Sequence, residues 1–460
     1  MHRGVFFIIA LMALPVNADQ MTVPKSHLEI GIGFVPVVKK AAPAVVNIYA
    51  RQLVNQRVNP FFGSDFFDEM FGGLGTQRQR IHNSLGSGVI VSEDGILVSN
   101  YHVIEGAIDI HVVLNDRREF KAEILLADEE SDLAVLRLNN ADKMPTIELR
   151  NSDTVQVGEL VLAIGNPFGV GQTVTSGIVS GLARSGAAAG IAQGYFIQTD
   201  APINPGNSGG ALVDANGRLI GINTRILSSS GGSIGIGFAI PSVLVRQFIK
   251  QARSGNVRFE RPWAGMSGEA ITMQIAESMN LDGPGGIRIK ELHPDSVFKA
   301  AGFEQNDIIT HVGDQPVNTM DEMIFRMSVA GLGELTDVTR VHSGKTDVVS
   351  VHLKPPPNEP PRNRLQTGRR SVFPGMTISA INPQTILEYG LGLSACGAVV
   401  ENPGQTGERA GLRAGDVFTE INGKKVKDSE EARKLLRKDG KWLRLGILRG
   451  DKRLELTLRL

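Results

Sequence analysis

A single cysteine, Cys396, in 460 residues excludes an internal disulfide and any zinc site built from several thiolates. Aromatic residues are scarce at 5%. Neither sign of charge prevails. Lys and Arg total 48, Asp and Glu total 48, and the formal net charge of zero gives no bulk attraction to nucleic acid or an anionic membrane surface. No apolar run approaches the roughly 18 residues needed to cross a bilayer. The run from Val5 to Leu14 is short, follows the basic His2 and Arg3, and precedes Val16-Asn17-Ala18. That layout is a secretory signal peptide over 1–18, with cleavage expected after Ala18. The mature chain is then expected outside the cytoplasm, folding without oxidative pairing.

Glycine, in contrast, is abundant at 53 residues. Much glycine with few aromatics suits short strands joined by tight turns. The length exceeds what one core usually organises, so roughly two or three domains are expected. Short apolar or β-branched runs recur at Val45 to Tyr49, Gly88 to Val91, Ile96 to Ser99, Ile110 to Leu114, Leu133 to Leu138 and Leu160 to Ile164. Turn signals such as Glu93-Asp94-Gly95 and Asn115-Asp116 separate them, which argues for a β-sandwich or barrel between about 40 and 250. Ser242 to Ala252 has helical spacing, with Gly255 as its stop. The stretch 53–80 holds Phe61, Phe62, Phe66, Phe67 and Phe71 among Gly, Asn and Gln. It reads as a long functional loop whose phenylalanines meet another surface.

The C-terminal half repeats itself. Ala300-Ala301-Gly302-Phe303, then Asn306-Asp307-Ile308, matches Arg409-Ala410-Gly411-Leu412, then Gly415-Asp416-Val417, at an offset of 109 (302 to 411, 307 to 416). Trp263-Ala264-Gly265-Met266 precedes the first copy and Phe373-Pro374-Gly375-Met376 the second. Two copies are too few for a solenoid, so each is expected to be a separate domain. The prolines at 355–357 and 360–361, with the basic stretch 362–370, read as an extended linker.

The sharpest chemical signal is Gly206-Asn207-Ser208-Gly209-Gly210. Flanking glycines present the serine hydroxyl without crowding, and the N–H groups of Gly206 and Ser208 would form an oxyanion hole. The hydroxyl needs a base. His102 follows an apolar strand and precedes a turn, whereas His82 and His111 lack that setting. An orienting carboxylate is Asp132, placed just before the apolar run 133–138, where burial demands a partner. Asp128 is its rival, in the charged Asp128-Glu129-Glu130. Chain order decides between fold types sharing a Gly-x-Ser-x-Gly string. An α/β-hydrolase runs Ser, Asp, His, but here His102 and Asp132 precede Ser208, the chymotrypsin-like order.

The motifs Ser99-Asn100-Tyr101-His102-Val103-Ile104, Ser131-Asp132-Leu133-Ala134, Gly165-Asn166-Pro167-Phe168-Gly169, Gly177-Ile178-Val179-Ser180, Gln198-Thr199-Asp200, Asn204 through Gly210 and Gly235 through Pro241 resemble the HtrA (Deg/Do) family of serine proteases along essentially the whole mature chain. The resemblance implies a mainly β protein. It would have a chymotrypsin-like double β-barrel over 19–255, PDZ (α+β) domains over 261–357 and 371–460, and a linker over 358–370. It implies an ATP-independent periplasmic endopeptidase for misfolded or unfolded exported proteins, with chaperone capacity and no cofactor or metal. Its partners would be unfolded polypeptides and their C-termini and its own copies, as trimers and larger cages, with peripheral membrane contact and no nucleic acid. The 53–80 loop would gate and join subunits. Ile203 would line a small aliphatic S1 pocket, and Asp200, shared with the family motif, is not read as selecting Lys or Arg. Arg184 would relay PDZ occupancy to the active site. Ala264, Gly265 and Met266 would bind a peptide carboxylate in the first PDZ domain. Gly375 and Met376 would do so in the second, where Pro374 has no N–H to offer, so weak peptide binding or an assembly role is expected there.

Overall fold

The computed structural model describes residues 33–58, 76–166, 171–185, 195–204, 206–226, 233–278, 281, 283–438 and 440–459. The first twelve strands are β1 (Val45–Val58), β2 (Thr76–Ile90), β3 (Ile96–Ser99), β4 (Ala107–Val113), β5 (Glu119–Asp128), β6 (Leu133–Leu138), β7 (Leu160–Gly165), β8 (Thr173–Ser185), β9 (Tyr195–Thr199), β10 (Ala211–Asp214), β11 (Leu219–Ile226) and β12 (Gly237–Pro241). They form two closed six-stranded barrels, ordered β1-β2-β3-β6-β5-β4 and β7-β8-β9-β12-β11-β10. The second order repeats the first, six strands on.

Side-chain alternation explains why the strands between the barrels are largely apolar, with Arg137 the exposed exception in β6. In β6, Leu133 and Val135 join the core shared by the two barrels, while Ala134, Leu136 and Leu138 fill the first barrel. In β7, Leu162 and Ile164 enter the shared core and Val161 and Ala163 fill the second barrel. Successive residues of a strand point to opposite faces, so strands buried on both faces lose the polar alternation that a half-exposed strand shows. The helix Ser242–Arg253 closes the shared core with Val243, Leu244, Val245, Phe248 and Ala252. It ends at Ser254, and Gly255 takes φ 89° just beyond.

The C-terminal half contains β13 (Met266–Ala270), β14 (Ile287–Leu292), β15 (Ile308–Val312), β16 (Gln315–Pro316), β17 (Leu335–His342) and β18 (Lys345–His352), then β19 (Leu365–Gln366), β20 (Thr377–Ala380), β21 (Ala398–Asn402), β22 (Val417–Ile421), β23 (Lys424–Lys425), β24 (Trp442–Arg449) and β25 (Lys452–Arg459). One sheet is ordered β13-β14-β15-β17-β18, the other β19-β20-β21-β22-β24-β25, with β16 and β23 as side pairs. The two share one lock around a buried aspartate. Arg340 Nη1 donates to the Gly302 carbonyl at 2.6 Å and to Asp307 at 3.0 Å. Arg449 Nη2 donates to the Gly411 carbonyl at 2.7 Å and to Asp416 at 2.8 Å. All three positions recur at the 109-residue offset. The two tryptophans divide the same way, Trp263 entering the first module and Trp442 lying in β24 of the second.

Two expectations need correction. Residues 53–58 and 76–80 are not loop but extensions of β1 and β2, which pair from Val45↔Val89 to Val58↔Thr76. Their polar sequence hides the strand because register is carried by backbone hydrogen bonds, not by an apolar face. The phenylalanines at 61, 62, 66, 67 and 71 lie outside the described residues, as do residues 1–32 with the expected signal peptide. The second correction concerns 358–370, which is not a free linker. Leu365 pairs with Ile378 and Gln366 with Thr377. Arg362 pairs with Glu388 at 2.6 Å and Glu401 at 2.7 Å, and Arg364 with Glu401 at 2.6 Å. Among the described residues, no helix is long and apolar enough to cross a membrane.

The first module docks on the barrels through the helix Met320–Ala330. Arg326, only 7% exposed, bonds Asp153 at 2.5 Å and the Tyr195 hydroxyl at 3.0 Å, and Tyr195 stacks on Phe325 with centroids 4.3 Å apart. Asp153, 22% exposed, would lose a charged partner at this seam, so Arg326→Ala should weaken docking by roughly 1.5 to 3 kcal/mol. Calorimetry should then show the first module melting separately from the barrels, whereas an unchanged single transition would contradict this.

Candidate active site

β3 and β6 pair in register, Ser99↔Ala134, so the chain leaving β3 meets the chain entering β6. His102 sits in the short helix Tyr101–Ile104, and Asp132 in the turn before β6. Asp132 adopts φ 52°, a left-handed conformation that Asp tolerates better than most residues. Its carbonyl accepts from Tyr101 N and Asn100 Nδ2, and its carboxylate accepts from His102 N at 3.1 Å. The imidazole is fixed by the same carboxylate, with Nδ1 at 2.9 Å from Oδ1 and 2.8 Å from Oδ2. A carboxylate only accepts, so Nδ1 carries a proton, and in the neutral form of the ring Nε2 keeps its lone pair.

Ser208 comes from the second barrel, on the loop entering β10. Ser87 holds this loop against the first barrel. Its N–H donates to the Ser208 carbonyl at 2.9 Å, its Oγ to the Gly206 carbonyl at 2.7 Å, and its carbonyl accepts from Ser99 Oγ at 2.7 Å. The approach is so close at Gly209, with φ 82°, that a Cβ would lie 2.1 Å from the Ser87 carbonyl oxygen. Only glycine fits there. The amides of Gly206 and Ser208 are not engaged by any described residue.

Thr224 of β11 joins the two halves. Its Oγ1 donates to Asp132 Oδ2 at 2.6 Å, and its carbonyl accepts from Ser208 Oγ at 2.9 Å. Among the described residues no hydrogen bond joins Ser208 to His102, and the Ser208 hydroxyl is turned to the Thr224 carbonyl. Catalytic hydrogen bonds often tighten only in the substrate complex. Burial alone would raise the Asp132 pKa. The bonds from His102 and Thr224 and the imidazole's charge outweigh it and hold the carboxyl below its ordinary value. Arg225 Nε lies 3.9 Å from Asp132 Oδ2.

The rivals His111 and Asp128 are engaged elsewhere, and the side chain of His82 lies outside the described residues. His111 pairs with Asp109 at 2.9 Å, and Asp128 with Arg261 at 2.6 Å. Asp200 accepts from Ile178 N at 2.7 Å. Ile203 is buried in the second barrel's core, and a Cβ on Gly237 would lie 2.8 Å from its Cδ1. Arg184 is in register with Phe196 in the β8–β9 ladder, and 186–194, the next segment of the chain, lies outside the described residues. In the first module the Gly265 carbonyl accepts from His293 N, and Ser296 Oγ donates to the Ala264 carbonyl. Met266 opens β13, the edge strand of its sheet. In the second module, Gly375 N donates to the Thr367 carbonyl at 3.1 Å, so the segment after β19 uses one of the expected loop amides. Sequence reasoning missed Ser87, Thr224, Arg225 and Arg326. Hydroxyl and basic residues within strands, or on a helix as Arg326 is, carry no local signal of such roles.

A trypsin-like peptidase domain model matches residues 86–222, and a PDZ domain model matches 398–449. The chain is 36% identical over 95% of its length to a probable periplasmic serine protease do/HhoA-like of Haemophilus influenzae, covering 93% of that protein. It is 35% identical to the periplasmic pH-dependent serine endoprotease DegQ of Escherichia coli K12, covering 96% of this chain and 93% of that one. It is 37% identical to DegP of the same organism, covering 88% and 82%. Among solved structures, HtrA-type protease AlgW with decapeptide is 38% identical and superposes with a TM-score of 0.52 over 70% of this chain and 99% of that one. With this extent of identity, and with His102, Asp132 and Ser208 gathered between two barrels, the chain belongs to the HtrA/DegP family of serine endoproteases.

Proposed function

We propose that this endopeptidase degrades unfolded or misfolded exported proteins in the periplasm without ATP, using His102, Asp132 and Ser208. The observation that carries the reading is the junction at Thr224, which ties the His102–Asp132 pair of one barrel to Ser208 of the other. His102 Nε2 takes the Ser208 proton as Oγ attacks the scissile carbonyl. The N–H groups of Gly206 and Ser208 hold the resulting oxyanion. Asp132 fixes the tautomer and balances the imidazolium, which then protonates the leaving amine. Water repeats the sequence on the acyl-enzyme and releases the acid. Ile203, beneath Gly237, favours a small aliphatic side chain before the scissile bond. A serine-directed fluorophosphonate should label Ser208 alone and stop casein degradation. Labelling elsewhere, or degradation persisting after full labelling, would overturn the reading.

The first module is proposed as a second PDZ-type module, supported by its shared strand order and Arg–Asp–Gly lock. Ala264, Gly265 and Met266 offer amides to a peptide carboxylate there, and β13 offers an open edge. Trimers and larger cages, chaperone capacity and a relay through Arg184 belong to the same reading. The second module is proposed as a weak peptide binder, because Pro374 lacks an N–H and β19 already lies along β20. Apolar-ended peptides should bind a 358–460 fragment at least about tenfold more weakly than 261–357, a difference of about 1.4 kcal/mol. Equal affinities by fluorescence anisotropy would contradict this.

A further inference from the structure

Past Thr224, β11 has an edge with no strand along it. β11 pairs with β10 only as far as Ile222, opposite Ala211. Asn223 closes that side by accepting from Gly209 N at 2.8 Å and donating to the Gly210 carbonyl at 2.9 Å. On the other side Arg225 and Ile226 pair with Phe238 and Gly237 of β12. From Thr224 onward, the edge facing Ser208 therefore meets no strand among the described residues. An extended peptide whose scissile carbonyl lies at Ser208 can add there as an antiparallel strand. Arg225 stands in the middle of that edge.

The Arg225 side chain is 46% exposed, while its neighbour Asp132 is 3% exposed. Asp132 does not need it. The carboxylate already accepts from His102 Nδ1, His102 N and Thr224 Oγ1, and the 3.9 Å approach of Arg225 is longer than a hydrogen bond. Among the described residues, no acceptor is hydrogen-bonded to the guanidinium. A rigid, always-charged fork beside the reacting atoms, open to solvent, is suited to meet a carboxylate. We infer that Arg225 is a specificity determinant, selecting substrates with an acidic side chain two to four residues before the scissile bond.

This inference rests on Ser208 being the nucleophile. The test uses the full chain and fluorogenic peptides that differ only at those positions, carrying Glu, Gln or Lys. The intact protein should favour Glu over Gln by about three- to tenfold in kcat/KM, as expected for a partly solvated ion pair. The preference should shrink as salt rises. Arg225→Gln should bring the Glu-to-Gln ratio to near one, Arg225→Lys should keep part of it, and Arg225→Glu should turn it toward the Lys peptide. A loss in Arg225→Gln that is equal for all peptides would leave the ratio intact and overturn the inference, placing Arg225 behind Asp132 instead. Casein distinguishes the two ways of failing. Casein cleaved while the peptides show no charge preference overturns this inference alone, whereas casein left intact overturns the protease reading and this inference with it.

Discussion

Replacing Ser208 with alanine is expected to lower turnover of casein and of short peptides by about 10⁴-fold or more, the scale seen when a triad serine is removed. In the proposed mechanism the change deletes the atom that bonds to substrate carbon. Stability should hardly change. Among the described residues the hydroxyl makes one hydrogen bond, to the Thr224 carbonyl, and losing it costs on the order of 1 kcal/mol. Peptide binding should survive, since the free edge from Thr224 and the β13 groove are untouched. The measurement is kcat/KM beside thermal melting and anisotropy of a labelled peptide. Residual activity above about one per cent of the intact protein, far over the rate expected without a nucleophile, would place the nucleophile elsewhere.

The second large effect is at Asp132. Asp132→Asn keeps the volume but offers a donor where His102 Nδ1–H needs an acceptor, favouring the wrong imidazole tautomer. A loss of about 10⁴-fold in kcat is the scale for that error. The same substitution should change acid stability in a predictable direction. Asp132 is held below its ordinary pKa in the folded protein by His102 and Thr224, against the opposing effect of burial. The stabilisation is present above the unfolded value of about 4 and is lost as pH falls through the lower folded value. Melting temperature in the intact protein should therefore drop on acidification below about pH 4. In Asp132→Asn that part of the drop should be missing. Parallel acid profiles for the two proteins would mean the carboxylate gains nothing from its partners.

The proposed triad stands out in the sequence because each member is beside a structural signal. Glycines frame Ser208, β3 ends just before His102, and the buried run of β6 begins just after Asp132. Thr224 gave no such sign. A threonine in an apolar strand reads as a strand former, and only the closure of the second barrel carries its hydroxyl 92 residues back to Asp132. Ser87 is similar, since its two bonds to the Gly206 and Ser208 carbonyls are formed only when two barrels meet. The strand β19 was hidden for another reason. Its surroundings are rich in Pro and Arg, which reads as an extended connector. It is a strand because Leu365 and Gln366 pair with β20, while Glu401 of β21, one strand further on, holds Arg362 and Arg364 just before it. The doubled modules were fully visible because a repeat is a pattern within the sequence itself, independent of distant contacts.

The position of the two indoles decides what spectroscopy can see. Trp263 and Trp442 both lie in the repeated modules, and neither barrel has one. Intrinsic emission at the red edge of excitation will thus report on the appendages and stay silent about the catalytic half. Where the first module melts apart from the barrels, as expected in Arg326→Ala, a chain whose barrels had melted could still glow as though native, so their denaturation has to be tracked by cleavage or by a fluorophore placed near Ser208.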